Sequence, residues 1–311
     1  MRVTGGTLAI GGAQAVAPSR VAGWRDYVAL LKPRVISLVV FSGACGLVAA
    51  PGSMHPLLAL SAVLMIALGA GAAGAFNQAL EADIDAQMRR TRGRPLPMGR
   101  IERGEALAFA AVLAILSVTL LGLATNWLAA GLLAAAIGFY AAVYTAWLKR
   151  RTPQNIVIGG AAGAFPPLIG WAAATGEVSA LPLLLFAIIF LWTPPHFWAL
   201  ALYCRGDYAR AGVPMLPVTH GEAATRRHVF AYALALALVG IAPWPLGLAG
   251  AGYGAVAAVM GVAFIVLAAR VARSTQNDAA RMSDERRLFR FSLLYLAAIF
   301  AAIAVDRAVL A

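Results

Sequence analysis

The sequence predicts an all-α, polytopic membrane protein with nine transmembrane helices, and three observations carry that expectation. Of its 311 residues, 61% are hydrophobic and 12% are charged, against roughly one-quarter charged in a soluble domain. Apolar runs recur along almost the whole chain, each close to the roughly 20 residues a helix needs to cross a bilayer. Basic residues collect in every second connection between those runs.

The first expected span, Val35 to Ala50, follows Arg2, Arg20, Arg25, Lys32 and Arg34. The second, Leu57 to Leu80, leads into Arg89, Arg90, Arg92, Arg94, Arg100 and Arg103. The third and fourth, Ala106 to Leu123 and Trp127 to Leu148, meet at uncharged Asn126 and end on Lys149, Arg150 and Arg151. The fifth and sixth, Ile156 to Thr175 and Leu181 to Tyr203, are followed by Arg205, Arg210, Arg226 and Arg227. The seventh and eighth, Val229 to Leu248 and Tyr253 to Ala269, precede Arg270, Arg273, Arg281, Arg286, Arg287 and Arg290. The ninth runs from Phe291 to Leu310 and carries Arg307, the one basic residue expected on the far side.

This alternation is the positive-inside pattern of an odd number of helices, with the amino terminus cytoplasmic and the carboxyl terminus outside. It also assigns the net charge of +12 to orientation in a lipid bilayer rather than to nucleic acid. Cys45 and Cys204, the only cysteines, suggest no disulfide framework. Residues 1–23 read as a flexible cytoplasmic tail, and 24–311 as one membrane domain in the cell inner membrane.

Polar side chains within lipid are expensive, so exceptions in an apolar chain point to function. The largest exception ends the second span. Asn77, Glu81 and Asp85 are spaced i, i+4, i+8, so each turns only about 40° from the last and all share one helix face. Asp83 points elsewhere on an ideal helix, unless fraying near the end brings it round. Two carboxylates about 6 Å apart repel by roughly 3 kcal/mol at an effective dielectric near 20. A divalent cation relieves that repulsion, and carboxylate and amide oxygens suit Mg²⁺. The neighbouring arginines are placed to hold phosphate charge.

A second break follows the sixth span. Asp207 falls on the same side as Asp85, which suggests two related halves around one cavity. His196 lies inside the sixth span beside Pro194, Pro195, Trp192 and Trp198. It reads either as a functional histidine or as a packing one. The two prolines, which lack amide hydrogens, predict a kink there.

Asn77-x-x-x-Glu81-x-x-x-Asp85 resembles the first acidic motif of the UbiA-type intramembrane prenyltransferases, with Glu in place of the usual first Asp. Leu31-Lys32-Pro33-Arg34-Val35, Asp83 to Thr91, Thr145 to Gly160, Pro194 to Trp198 and Asp207 to Pro217 are similar to the branch of that superfamily that farnesylates haem B, and the resemblance implies nine helices around a central cavity. The second acidic motif departs from the pattern, since Ala211 stands where a second Asp is usual. The resemblance implies transfer of farnesyl from farnesyl diphosphate to haem B with Mg²⁺ as cofactor. It implies a metal site from Asn77, Glu81, Asp83, Asp85 and Asp207, of which Asn77, Glu81, Asp85 and Asp207 are catalytic. Substrate contacts are expected from Lys32, Arg34, Arg89, Arg90, Arg94, Lys149, His196 and Tyr203. A haem A synthase or a terminal oxidase is the partner it suggests. Another acceptor, such as a quinone precursor or chlorophyllide, is the nearest alternative, and a secondary transporter is the alternative from another class.

Overall fold

The computed structural model describes residues 22–310; most of the expected tail lies outside them. Those residues are helical throughout, with no strand among them. The chain runs through α1 (Trp24–Leu30), α2 (Pro33–Val48), α3 (Pro56–Leu80), α4 (Ala82–Gln87), α5 (Arg103–Ala124) and α6 (Trp127–Gly138). A π-helical stretch, Phe139–Trp147, and a 3₁₀ turn, Leu148–Arg150, continue α6. Then come α7 (Asn155–Thr175), α8 (Ala180–Tyr203), α9 (Arg205–Arg210), α10 (Leu216–Thr219), α11 (Gly221–Ile241), α12 (Ala251–Arg273) and α13 (Ser283–Leu310).

Seven of these are long and apolar enough to cross a membrane, and up to eight if the bent pair α1 and α2 counts as one span. The seventh expected span, Val229 to Leu248, corresponds to α11, which is not among them. It starts at Gly221, well before Val229, and its first turns carry Glu222, Arg226, Arg227 and His228. Those charges belong to the bundle: Arg226, itself buried, pairs with buried Glu285 of α13 at 3.0 Å. Outward faces invert the pattern of a soluble protein. Leu123, Leu238 and Val259 are exposed, while Asn77, Glu81, Asp85 and His196 are buried.

Helices α2, α3, α5, α6 and α7 pack as one half; α8, α11, α12 and α13 form the other, and α13 closes onto α2. The tightest crossing is α2 on α7, where a Cβ on Gly46 would run into the Pro167 carbonyl and one on Gly170 into the Gly43 carbonyl. Helix α8 is continuous through Pro194 and Pro195.

The basic connections gather at one end. Asp26 of α1 pairs with Arg100 at 3.0 Å, Arg150 with Asp83 at 2.8 Å, and Arg205 with Glu222 at 3.1 Å. At the other end Asn126 donates to the Ala172 carbonyl at 2.7 Å, and the Gly250 amide to Asp306 at 2.7 Å. The alternation of the sequence is therefore a real separation of the two faces.

Candidate active site

The acidic stripe forms where α3 ends. Glu81 leaves helical geometry, with φ −116° and ψ 17°, and separates α3 from α4. Backbone hydrogen bonds nevertheless span the break, from the Glu81 amide to Asn77 (3.1 Å) and from the Asp85 amide to Glu81 (2.8 Å). The i, i+4 spacing survives, and Asn77, Glu81 and Asp85 are all buried.

Each is met by a cation from a different segment. Lys32 donates to Asn77 Oδ1. Lys149 Nζ lies 2.5 Å from Glu81 Oε2, and Arg94 Nη1 lies 2.7 Å from Asp85 Oδ2. An isolated buried carboxylate costs several kcal/mol, so these pairings make the stripe tolerable.

Local folding delivers those cations. Lys32 has φ 56°, the one positive φ outside glycine among the described residues, and sits in the 54° bend between α1 and α2. Left-handed backbone is strained for a side chain that is not glycine, and such strain concentrates at functional sites. Gln78 of α3 pins the bend by donating to the Ala29 and Leu30 carbonyls, each at 3.0 Å. Gly74 leaves room for the bend's backbone, whose Leu30 and Leu31 oxygens lie 3.4 Å from where its Cβ would be.

The π-helical stretch serves the other side. Asn77 Nδ2 donates to Thr145 Oγ1 at 3.1 Å, and Lys149 stands 5.9 Å from the Tyr144 ring, which meets Tyr140 at 5.3 Å. π turns occur often at functional sites. Gln78, Tyr140, Tyr144 and Thr145 were not among the expected site residues. Gln78 carried a signal, a polar side chain beside Asn77 in an apolar run. The other three depend on a helical register that sequence periodicity does not reveal.

The five expected metal ligands do not gather. Asp83 lies two residues past Glu81, on the far side of the turn, so it faces outward and takes both guanidinium nitrogens of Arg150 at 2.8 Å. That hydrogen bond holds its carboxyl below the usual carboxylate range. Asp207 bonds Arg210 of its own helix. Its neighbour Tyr208 packs with Ile84 and Met88 of α4, so the two acidic helix ends do meet, through apolar side chains. Among the described residues, no three His, Cys, Asp or Glu side chains converge on a metal position. Arg34, Arg89 and Arg90 are exposed at the same end of the molecule.

His196 is buried away from the stripe. Its ring is sandwiched between Trp192 (4.2 Å, 17°) and Phe289 (4.6 Å, 22°), and Nδ1 lies 2.6 Å from Ser292 Oγ. With both faces covered and Nδ1 engaged, the geometry is that of a packing histidine. Tyr203 is half-buried beneath the Arg286 guanidinium, 4.5 Å from the ring centre.

An apolar cavity of about 120 Å³ has Lys32, the partner of Asn77, in its wall. Val39 of α2, Ala73 of α3, Ala136 of α6, Tyr140 and Pro166 of α7 also line it. It lies among four helices of the first half.

One buried atom of the stripe lacks a partner. Glu81 Oε1 makes no hydrogen bond while Oε2 holds Lys149. An unpartnered carboxylate oxygen beside an amide oxygen and a second carboxylate is a donor set that fits a hard divalent cation.

The UbiA prenyltransferase family matches residues 38–303 of this chain. The chain belongs to that family. A protoheme IX farnesyltransferase of Rhizorhabdus wittichii is 61% identical over 295 residues, covering 95% of this chain and 98% of that protein. Among solved structures of the UbiA fold, digeranylgeranylglyceryl phosphate synthase superposes with a TM-score of 0.75 at 20% identity, over 91% of this chain and 98% of its own. A UbiA homologue from Archaeoglobus fulgidus, bound to DMAPP and Mg²⁺, gives 0.67 at 15% identity, over 90% and 99%. The expected UbiA fold is thus the observed one.

Proposed function

We propose that this UbiA-family chain transfers the farnesyl group of farnesyl diphosphate to a vinyl group of haem B, with addition of water, giving haem O and diphosphate. The observation that carries the reaction class is the juxtaposition of the stripe with the cavity: Lys32 both bonds Asn77 and lines an apolar space. That pairing suits an amphiphile with a charged head and an isoprenoid tail. The near full-length likeness to a protoheme IX farnesyltransferase supports haem B as the acceptor.

The chemistry breaks the bond between farnesyl C1 and the diphosphate oxygen, the electron pair leaving with diphosphate. C1 bonds to the terminal vinyl carbon. The cation left on the inner vinyl carbon takes water and loses a proton, which leaves a hydroxyethylfarnesyl group. Asn77, Glu81 and Asp85 would hold Mg²⁺, with Asp207 approaching from the second half. Bound there, Mg²⁺ supplies charge that stabilises the leaving diphosphate. Lys32, Lys149 and Arg94 turn from the acids to the diphosphate oxygens, and their positive charge is worth most in a site closed to water. Arg34, Arg89 and Arg90 collect the anion at the rim. The apolar cavity keeps the allylic carbon from water until the vinyl group has reacted.

The basic end faces the cytoplasm of the cell inner membrane in this reading, because positive loops stay on that side. A cysteine placed at Asn126 then reacts with an impermeant reagent from outside, and one at Arg92 reacts only after permeabilisation; the reverse labelling overturns the orientation.

Purified protein in lipid vesicles, given haem B, farnesyl diphosphate and Mg²⁺, should yield haem whose mass has grown by a farnesyl group plus a hydroxyl. Unmodified haem, with prenylation of a quinone precursor by the same preparation, would assign another acceptor.

A further inference from the structure

The Asn77 carboxamide is held at both ends. Its nitrogen donates to Thr145 Oγ1 at 3.1 Å, and both residues are buried. Its oxygen accepts from Lys32, whose ammonium has no acceptor capacity and so must face oxygen. A cation therefore already stands against Oδ1. Once the ammonium turns to a diphosphate, the bond to Thr145 is what still holds the plane of the amide. An amide swung out of that plane would no longer aim its oxygen at an incoming metal ion.

We propose that Thr145 is a positioning residue that holds the plane of the Asn77 carboxamide so that its oxygen stays aimed at the cation. The inference rests on the reading that Asn77 contributes to a divalent-cation site, and it assigns to the π-helical stretch a purpose beyond carrying Lys149. That stretch puts Thr145 beside Asn77 although the two are 68 positions apart in sequence. A Thr145 hydroxyl at hydrogen-bonding distance is what the orientation requires; its methyl group is not.

The test uses the full chain in detergent and Mn²⁺ as the probe, with bound ion counted by electron paramagnetic resonance. Thr145→Val should raise the Mn²⁺ dissociation constant about tenfold, the factor that corresponds to roughly 1.4 kcal/mol, and Thr145→Ser should restore it. In an Asn77→Ala background the Val substitution should have little further effect, because the side chain that Thr145 positions is gone. Wild-type affinity in Thr145→Val, or an equal further loss in the Asn77→Ala background, would overturn the positioning role. Wild-type protein that binds no Mn²⁺ would instead overturn the cation site itself, so the two failures are distinguishable.

Discussion

Glu81, which is buried, and Lys149, which is partly buried, meet at 2.5 Å across 68 residues of sequence. The pair joins the break after α3 to the end of the helix that α6 begins. It also leaves Glu81 Oε1 without a partner. Acid and base thus hold each other in place; in the proposed reaction a diphosphate and its cation would separate them.

Removing one partner strands the other in a buried setting, a loss of about 3–5 kcal/mol. Glu81→Gln and Lys149→Met should therefore each lower the thermal unfolding temperature in detergent. The double substitution should regain much of that stability while turnover stays about 10²-fold or more below wild type. A double variant no more stable than either single one would show that the pair is not coupled.

The cavity beside Lys32 should govern the isoprenoid tail and not the charged head. Ala136→Phe fills it from α6. We expect the KM for farnesyl diphosphate to rise about tenfold, within the roughly 1–3 kcal/mol that small changes in an apolar pocket carry. Inhibition by inorganic diphosphate should be unchanged. Equal losses for both ligands would place the tail elsewhere.

His196 lies between two aromatic rings and against Ser292. His196→Ala should cost about 2–4 kcal/mol of stability, as truncating a buried ring does, and His196→Phe should recover the stacking but lose the hydrogen bond, about 1 kcal/mol. The absorption spectrum of added haem should be the same in all three proteins. A shifted spectrum at undiminished stability would return His196 to the acceptor site.

Membrane segments, their alternating ends and the stripe of Asn77, Glu81 and Asp85 were legible in the sequence. Lipid is the reason: a solvent that penalises every exposed polar group writes its rule into local composition, and i, i+4 spacing survives even a helix break. Local composition also misplaced some things. The charged start of α11 lies within a helix because Arg226 finds Glu285 on α13, and Asp83 leaves the stripe because Arg150 waits on the other side of it.

Only the tertiary structure decided which cation meets which acid. Lys32 reaches Asn77 through a strained bend seated on α3, and Lys149 and Thr145 arrive through a π-helical register. His196 is likewise assigned by Phe289 and Ser292, which come from a helix far along the chain. Such pairings are set by how helices pack against one another, and packing depends on side chains distant in sequence, which no local pattern encodes.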